Sequence, residues 1–359
     1  HTYRDIPDTL GFARADIHLF DKLMKVHPLI TDPLICDVTR GTMVESRHRV
    51  HAMICDSSGP LKTWGDPDLM FYPRSAIKFM QGLPLVESGA ANAHSIAENE
   101  LALACASHSG TAEHVTTVAN WLQRLGLGVD NLGCGAHLPY DIKAAHDIVR
   151  AGAEPTRLNN NCSGKHAGFL TTALHLNEPI EGYLDPDHPV QKRLFDILER
   201  FGDESLADTG RGQDGCGIPV YGMTLRALAK AAQKMSEPKG FGESRGDAAT
   251  RIIKAVTTHP YMVGGPGRFD TDVMTALGGT VATKGGAEGV HVAIVPGKGL
   301  GIALKTEDGE KRAGDIAMGW LLMEADLIPT SAQEAITAHM KPTLRNAAGD
   351  AVGTIKITH

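Results

Sequence analysis

The chain has 359 residues, 42% hydrophobic and 21% charged, with a formal net charge of -7. Those proportions are ordinary for a soluble globular protein, and the length allows one large domain or two smaller ones. The charges are well mixed: no basic run marks a nucleic-acid face, and no apolar run is long enough to cross a bilayer. Residues 1–32 read as mixed and peripheral. The start, His1 to Asp5, has no apolar signal core and is read as a trimmed or expression-derived end, so the expected location is the cytoplasm. Met43 to Asp56 alternates, with Val50, Ala52 and Ile54 on one side and His51, Met53 and Cys55 on the other, which predicts a strand. Ser57 to Pro60 turns the chain, and Leu61 to Trp64 begins a second short strand. Pro73 stands just ahead of a predicted helix that carries Ser75 and Lys78.

The middle reads as helical. Ser95-Ile96-Ala97-Glu98 has the form of a capping box, and the helix runs on through Leu101 to Ala106. It stops at Ser107-His108-Ser109-Gly110. Glu113 to Leu125 is amphipathic and ends near Gly126. Further helical patterns cover about 164–175, 188–201, 224–235 and 246–258. Between them lie polar loops such as Asn159-Asn160-Asn161 and Gly264-Gly265-Pro266-Gly267. The end returns to strands at Val290–Val295 and Leu300–Lys305, a predicted hairpin around Pro296 to Gly299. A helix over Arg312–Leu327 and a last strand over Val352–Ile357 follow. The pattern suggests a single catalytic domain, with one sheet drawn from about 33–72 and 280–359 and a helical region of about 73–279 inserted.

Chemistry is carried by a few short segments. Ser75 and Lys78 are one helical turn apart, and a neutral lysine amine can take a serine proton. The spacing alone is weak, since a chain this long shows on the order of one such pair by chance. Ser236 with Lys239 is a second copy, set in a polar, glycine-rich stretch where no catalytic helix is expected. The bland reading of Ser75 and Lys78 is a partly exposed helix start. Against it stand Phe71, Tyr72, Phe79 and Met80, which predict burial, and a buried lysine without a carboxylate partner has a depressed pKa. Ser107 sits at a helix end, where its hydroxyl either bonds its own backbone or meets a ligand. Lys284 precedes the Val290 strand among glycines, as a solvated turn residue or as a second cation near Lys78. Penicillin-recognising serine hydrolases carry a related lysine-hydroxyl-glycine triplet on a strand of their site.

The six cysteines are spaced too widely for a disulfide framework. Cys36, Cys55 and Cys105 fall in apolar segments and read as small buried hydrophobes. Cys162 and Cys216 instead lie in polar loops. They are inert thiols, or Cys162 is a nucleophile beside Lys165 and His166, or both thiolates hold a metal such as zinc. Lys165 and His166 are both candidates for a third metal donor. Arg74 is a surface cation or a bidentate anchor for a substrate carboxylate. Asp214 would accept from a substrate ammonium or orient a metal ligand.

Taken together, Pro73 to Lys78, Leu85 to Ala90, Ala104 to Gly110, Cys134 to His137, Asn161 to His166, Asp214 to Pro219 and Lys284 to Gly289 resemble the asparaginase II family of the Rhizobium type, class 3. The segments run in family order over about residues 40–310. The resemblance implies an α+β fold similar to serine β-lactamases and glutaminases, with an antiparallel sheet. It implies a homodimer that hydrolyses L-asparagine to L-aspartate and ammonia. Two serine–lysine tandems are implied, Ser75 with Lys78 and Ser107 with Lys284. So are a zinc site on Cys162, Lys165 and Cys216 and substrate contacts from Arg74, His166 and Asp214. The same residues leave room for a glutaminase or β-lactam-recognising hydrolase, for a cysteine-nucleophile amidase and for a zinc-stabilised amino-acid binding protein.

Overall fold

A computed structural model describes residues 31–358, so the reading of residues 1–30 as peripheral lies outside the described residues. Eight strands form one antiparallel sheet: β1 (Leu34–Arg40), β2 (Met43–Asp56), β3 (Gly59–Trp64), β4 (Ala282–Gly285), β5 (Val290–Val295), β6 (Leu300–Thr306), β7 (Thr343–Arg345) and β8 (Ala351–Thr358). Their order is β7-β8-β1-β2-β6-β5-β4, with β3 on the second half of β2. The first and last described strands are therefore neighbours, Ile35 facing Thr358 and Val38 facing Ile355. This is the expected α+β arrangement, an antiparallel sheet from both ends of the chain with a helical region inserted.

The alternation in β2 explains how the sheet is sandwiched. Val50, Ala52 and Ile54 join a core cluster with helix α4 (Lys311–Glu324) on one face. Met53 and Cys55 join a second cluster with the inserted helices on the other. Both faces of the sheet centre are thus dry, and β5 reads as a nearly continuous apolar run interrupted by His291. Three further helices are α1 (Ser163–His175), α2 (Leu225–Ser236) and α3 (Phe269–Leu277). Helix α2 lies so close to β6 that a Cβ at Gly301 would overlap the backbone of Ala229 and Gln233.

Most predicted elements are present with shifted ends. The helix after Ser95 starts at Glu98, and its cap is one-way, Glu100 Oε2 accepting from the Ala97 N–H at 3.0 Å. Ser95 itself takes a left-handed backbone, φ +51°, two residues before the cap. Ser236 ends α2, bonded to the Gln233 carbonyl, while Lys239 is in solvent beside Glu237; that second serine–lysine spacing forms no site. No helix among the described residues is long and apolar enough to cross a membrane.

Candidate active site

Ser75 lies in a 3-10 turn, Arg74–Ile77, that runs directly into the helix Lys78–Gln81. Arg74 has φ +51°, a left-handed conformation that costs a long side chain on the order of 1–3 kcal/mol. Its guanidinium Nε donates to Asp214 Oδ1 at 2.7 Å, and this half-buried pair fixes the residue before the serine. Asp214 opens the loop between two short strands, Arg211–Gln213 and Pro219–Tyr221. The loop is tightened by Gly217 N–H to Asp214 O and by Asp214 N–H to Ile218 O. Burial works against the Asp214 carboxylate, but Lys165 and Arg74 outweigh it and hold its pKa below the usual value.

Lys78 is fully buried. Its Nζ donates to Ala106 O at 2.5 Å, Ser107 Oγ at 3.0 Å and Cys162 Sγ at 3.1 Å; none of the three is a carboxylate. The lysine therefore turns to the serine of the second predicted pair. No hydrogen bond joins it to Ser75 among the described residues. The reason is local: the helix Glu98–Ala104 ends beside it, leaving the Ala106 carbonyl open to a cation. Ser107 is held by its N–H to Val263 O at 3.0 Å.

Lys284 is on β4, an element the sequence reading placed only as the approach to the Val290 strand. It is 1% exposed, and its Nζ donates to Gly285 O at 2.6 Å. Burial, together with the charges of Lys78 and Arg268, brings its pKa down to about 7 against the opposing pull of Asp270. Lys284 and Ser107 share no hydrogen bond among the described residues. A Cβ at Gly286 would lie 3.1 Å from Ala76 N and 3.3 Å from Ser75 N, so the strand end abuts the serine turn.

Cys162 caps α1, and its own N–H donates to Asn160 Oδ1 at 2.9 Å. Lys165, one turn on, donates to Cys216 Sγ at 3.0 Å. All six cysteines are free thiols. The Cys162–Cys216 hydrogen bond and the Lys165 charge bring Cys216 down to about 5, while that shared bond and burial push Cys162 up to about 12. The two thiols thus lie as a coupled pair beside Lys165: burial opposes the Lys165 charge, but Cys216, Cys162 and Asp214 together raise its pKa. No group of three His, Cys, Asp or Glu suited to a metal exists among the described residues. The set reaches three donors only through the Lys165 amine. His166 points elsewhere, its Nδ1 2.7 Å from Tyr183 Oη and its buried Nε2 without a partner. Burial and then Lys165 depress His166 to about 3, which keeps it neutral.

These elements enclose a cleft of about 530 Å³. Arg74, Ser75, Ser107, Cys162, Asp214 and Cys216 line it, with the backbone of Gly285 to Ala287. Lys78, Lys165 and Lys284 stand behind that wall, and His166 lies in the core behind them. A second cavity of about 520 Å³, bordered by Thr111, Asp141, Ile148 and Tyr261, holds none of the candidate side chains. Two residues absent from the sequence reading belong here: Asp270, on the cleft wall, and His291, behind it. The signal was available in Val290-His291-Val292, a lone polar residue in a buried strand.

A cleft of this volume, with hydroxyls in its wall, amines behind them and a cation–carboxylate pair at one end, suits acyl transfer on a small polar substrate. A family model described as L-asparaginase II matches residues 36–357. No curated protein sequence matches the chain. Among solved structures, Mglu in its native form aligns with 17% identity and a TM-score of 0.44, over 87% of this chain and 68% of that one. A β-lactamase described as putative, from Bacteroides dorei, gives 13%, 0.41, 88% and 99% for the same measures. A β-lactamase from Sphaerobacter thermophilus gives 16%, 0.38, 79% and 93%. Likenesses this distant say nothing about the chemistry.

Proposed function

The chain belongs to the L-asparaginase II family, and on that premise we propose that it hydrolyses the side-chain amide of L-asparagine to L-aspartate and ammonia. The observation that carries this reading is the cleft wall itself: Ser75 and Ser107 exposed to one small space, with the Lys78 amine bonded to Ser107. In the proposed scheme the Arg74 guanidinium takes the substrate carboxylate and Asp214 its ammonium. Ser75 Oγ attacks the carboxamide carbon, and its proton passes through Ser107 to the Lys78 amine. The tetrahedral oxyanion is met by backbone N–H groups at the start of the Ser75 turn. Collapse breaks the C–N bond, and ammonia leaves with a proton returned by the same chain. Water, its proton taken by Lys78 or Lys284, then cleaves the acyl-serine ester. The Rhizobium-type subtype, a homodimer and a cytoplasmic location belong to the same proposal.

The Lys78–Ser107 bond favours a second assignment in which Ser107 makes the ester. The two are separated by mass spectrometry of a quenched reaction, which identifies the acylated peptide. Ser75→Ala is expected to lower kcat by about a thousandfold or more while the melting temperature holds. Near-normal turnover in that variant ends the Ser75 scheme. A protein that binds asparagine and releases no ammonia at all would instead be an amino-acid binding protein.

Cys162, Lys165 and Cys216 would hold a zinc ion once Lys165, whose Nζ now donates to Cys216 Sγ at 3.0 Å, gives up a proton; two sulfurs and an amine are then three donors that zinc accepts. Zinc bound there would order the Cys162 loop and orient substrate as a Lewis acid. The chain's own residues supply every proton transfer above. Elemental analysis is expected to find about one zinc per chain, falling sharply in Cys216→Ser. Equal zinc content in the two proteins would remove the site.

A further inference from the structure

Asp270 is the first buried acid of α3, and no step above uses it. Both its oxygens accept from the Gly285 N–H, at 3.1 and 2.9 Å. His291 Nε2 lies 2.7 Å from Oδ1. The Lys284 amine is 3.8 Å from Oδ2, inside Coulomb range but beyond a hydrogen bond. Gly285 is therefore held at both ends, its N–H by Asp270 and its C=O by Lys284 itself. His291 is wedged against the Phe269 ring, with Nδ1 3.7 Å from Asp315, which is paired with Lys311 at the cleft rim.

A carboxylate this deeply buried is costly unless its lone pairs are filled. Burial opposes ionisation, yet His291, Lys284 and the Gly285 amide outweigh it and hold Asp270 ionised. Because His291 and Gly285 occupy its oxygens, the carboxylate attracts Lys284 without binding it. The other charges on Lys284 come from Lys78, from Arg268 ahead of α3 and, with opposite sign, from Cys162. A lysine in direct contact with a free carboxylate would be locked as an ammonium; one with no anion nearby would be neutral throughout.

We propose that Asp270, braced by His291, is a positioning residue for Lys284, fixing the strand end that carries it and the charge on its amine. The kinetic part of the test rests on the asparaginase reading, so a second readout uses no substrate. In Asp270→Asn the attraction is gone, and the acidic limb of the kcat/KM profile is expected to move down by about one pH unit. In His291→Leu one oxygen of Asp270 is released toward Lys284, and the limb is expected to move up. A merely structural role would lower kcat and leave both limbs in place. Unmoved limbs, or shifts of the same sign, overturn the proposal. NMR of the labelled Lys284 side chain is expected to show the same two opposite shifts in its titration. If wild type turns over no asparagine, the proposed function fails while the NMR titration still decides this one. Should Asp270→Asn not fold, His291→Leu decides alone, and an unshifted Lys284 titration overturns the proposal.

Discussion

Arg74 combines a left-handed backbone with a guanidinium aimed at Asp214, so strain and ion pair meet one residue before the serine. The pair is partly exposed to the cleft, where an incoming amino acid would divide it, carboxylate to Arg74 and ammonium to Asp214. Arg74→Lys keeps the charge but loses the planar fork. It is expected to raise KM for asparagine about tenfold and to change kcat less; an unchanged KM would place substrate recognition elsewhere. At this scale the sequence named the right residue types but not all their partners. The Ser75–Lys78 spacing was legible because it is local. The bond Lys78 makes is to Ser107, and nothing in the chain between them announces that a helix end will deliver an open carbonyl to the same amine.

At the scale of elements, the close seat of α2 on β6 yields a clear prediction. Gly301→Ala puts a methyl group into the backbone of Ala229 and Gln233, where neither wall can yield as a flexible side chain would. It is expected to cost about 1–3 kcal/mol, seen as a lower denaturation midpoint with an unchanged slope. An unaffected midpoint would mean that the helix shifts freely. β2, with its clean alternation, and β5, an apolar run ahead of a turn signal, were readable, as were the long helices with regular apolar spacing. Among those that were not are β1, the helix Ile142–Arg150 and α3. β1 alternates, but Asp37 at its centre pairs across to Arg47 on β2, and that cross-strand charge hides the pattern. The helix Ile142–Arg150 buries none of its residues and leaves Ile142 and Val149 exposed. α3 follows a glycine-rich loop and carries two acids in its first turn, a favourable start that its flanks obscured.

For the whole molecule, the buried lysine at the site links chemistry to stability. Lys284 titrates near 7 when folded, against an ordinary value of 10.5. Between those pH values the unfolded chain binds more protons than the folded one, so this residue's contribution becomes more favourable as pH rises; below about 7 its cost is fully present. The melting-temperature gap between wild type and Lys284→Met should therefore shift in favour of wild type from pH 7 toward 10. A gap independent of pH would show that the folded lysine is not depressed. The global plan, a sheet from both ends with helices inserted, was legible because strand patterns cluster at the two ends. The cleft was not, since its walls come from segments scattered from Arg74 to Asp315. The pairing of β1 with β8 has one more effect. A ribosome releases β1 long before β8 and Ser75 long before Lys284, so the nascent chain carries an open strand edge and half a cleft. Catalytic competence must then wait for the release of Lys284, and one edge of β1 stays unpaired until β8 has emerged.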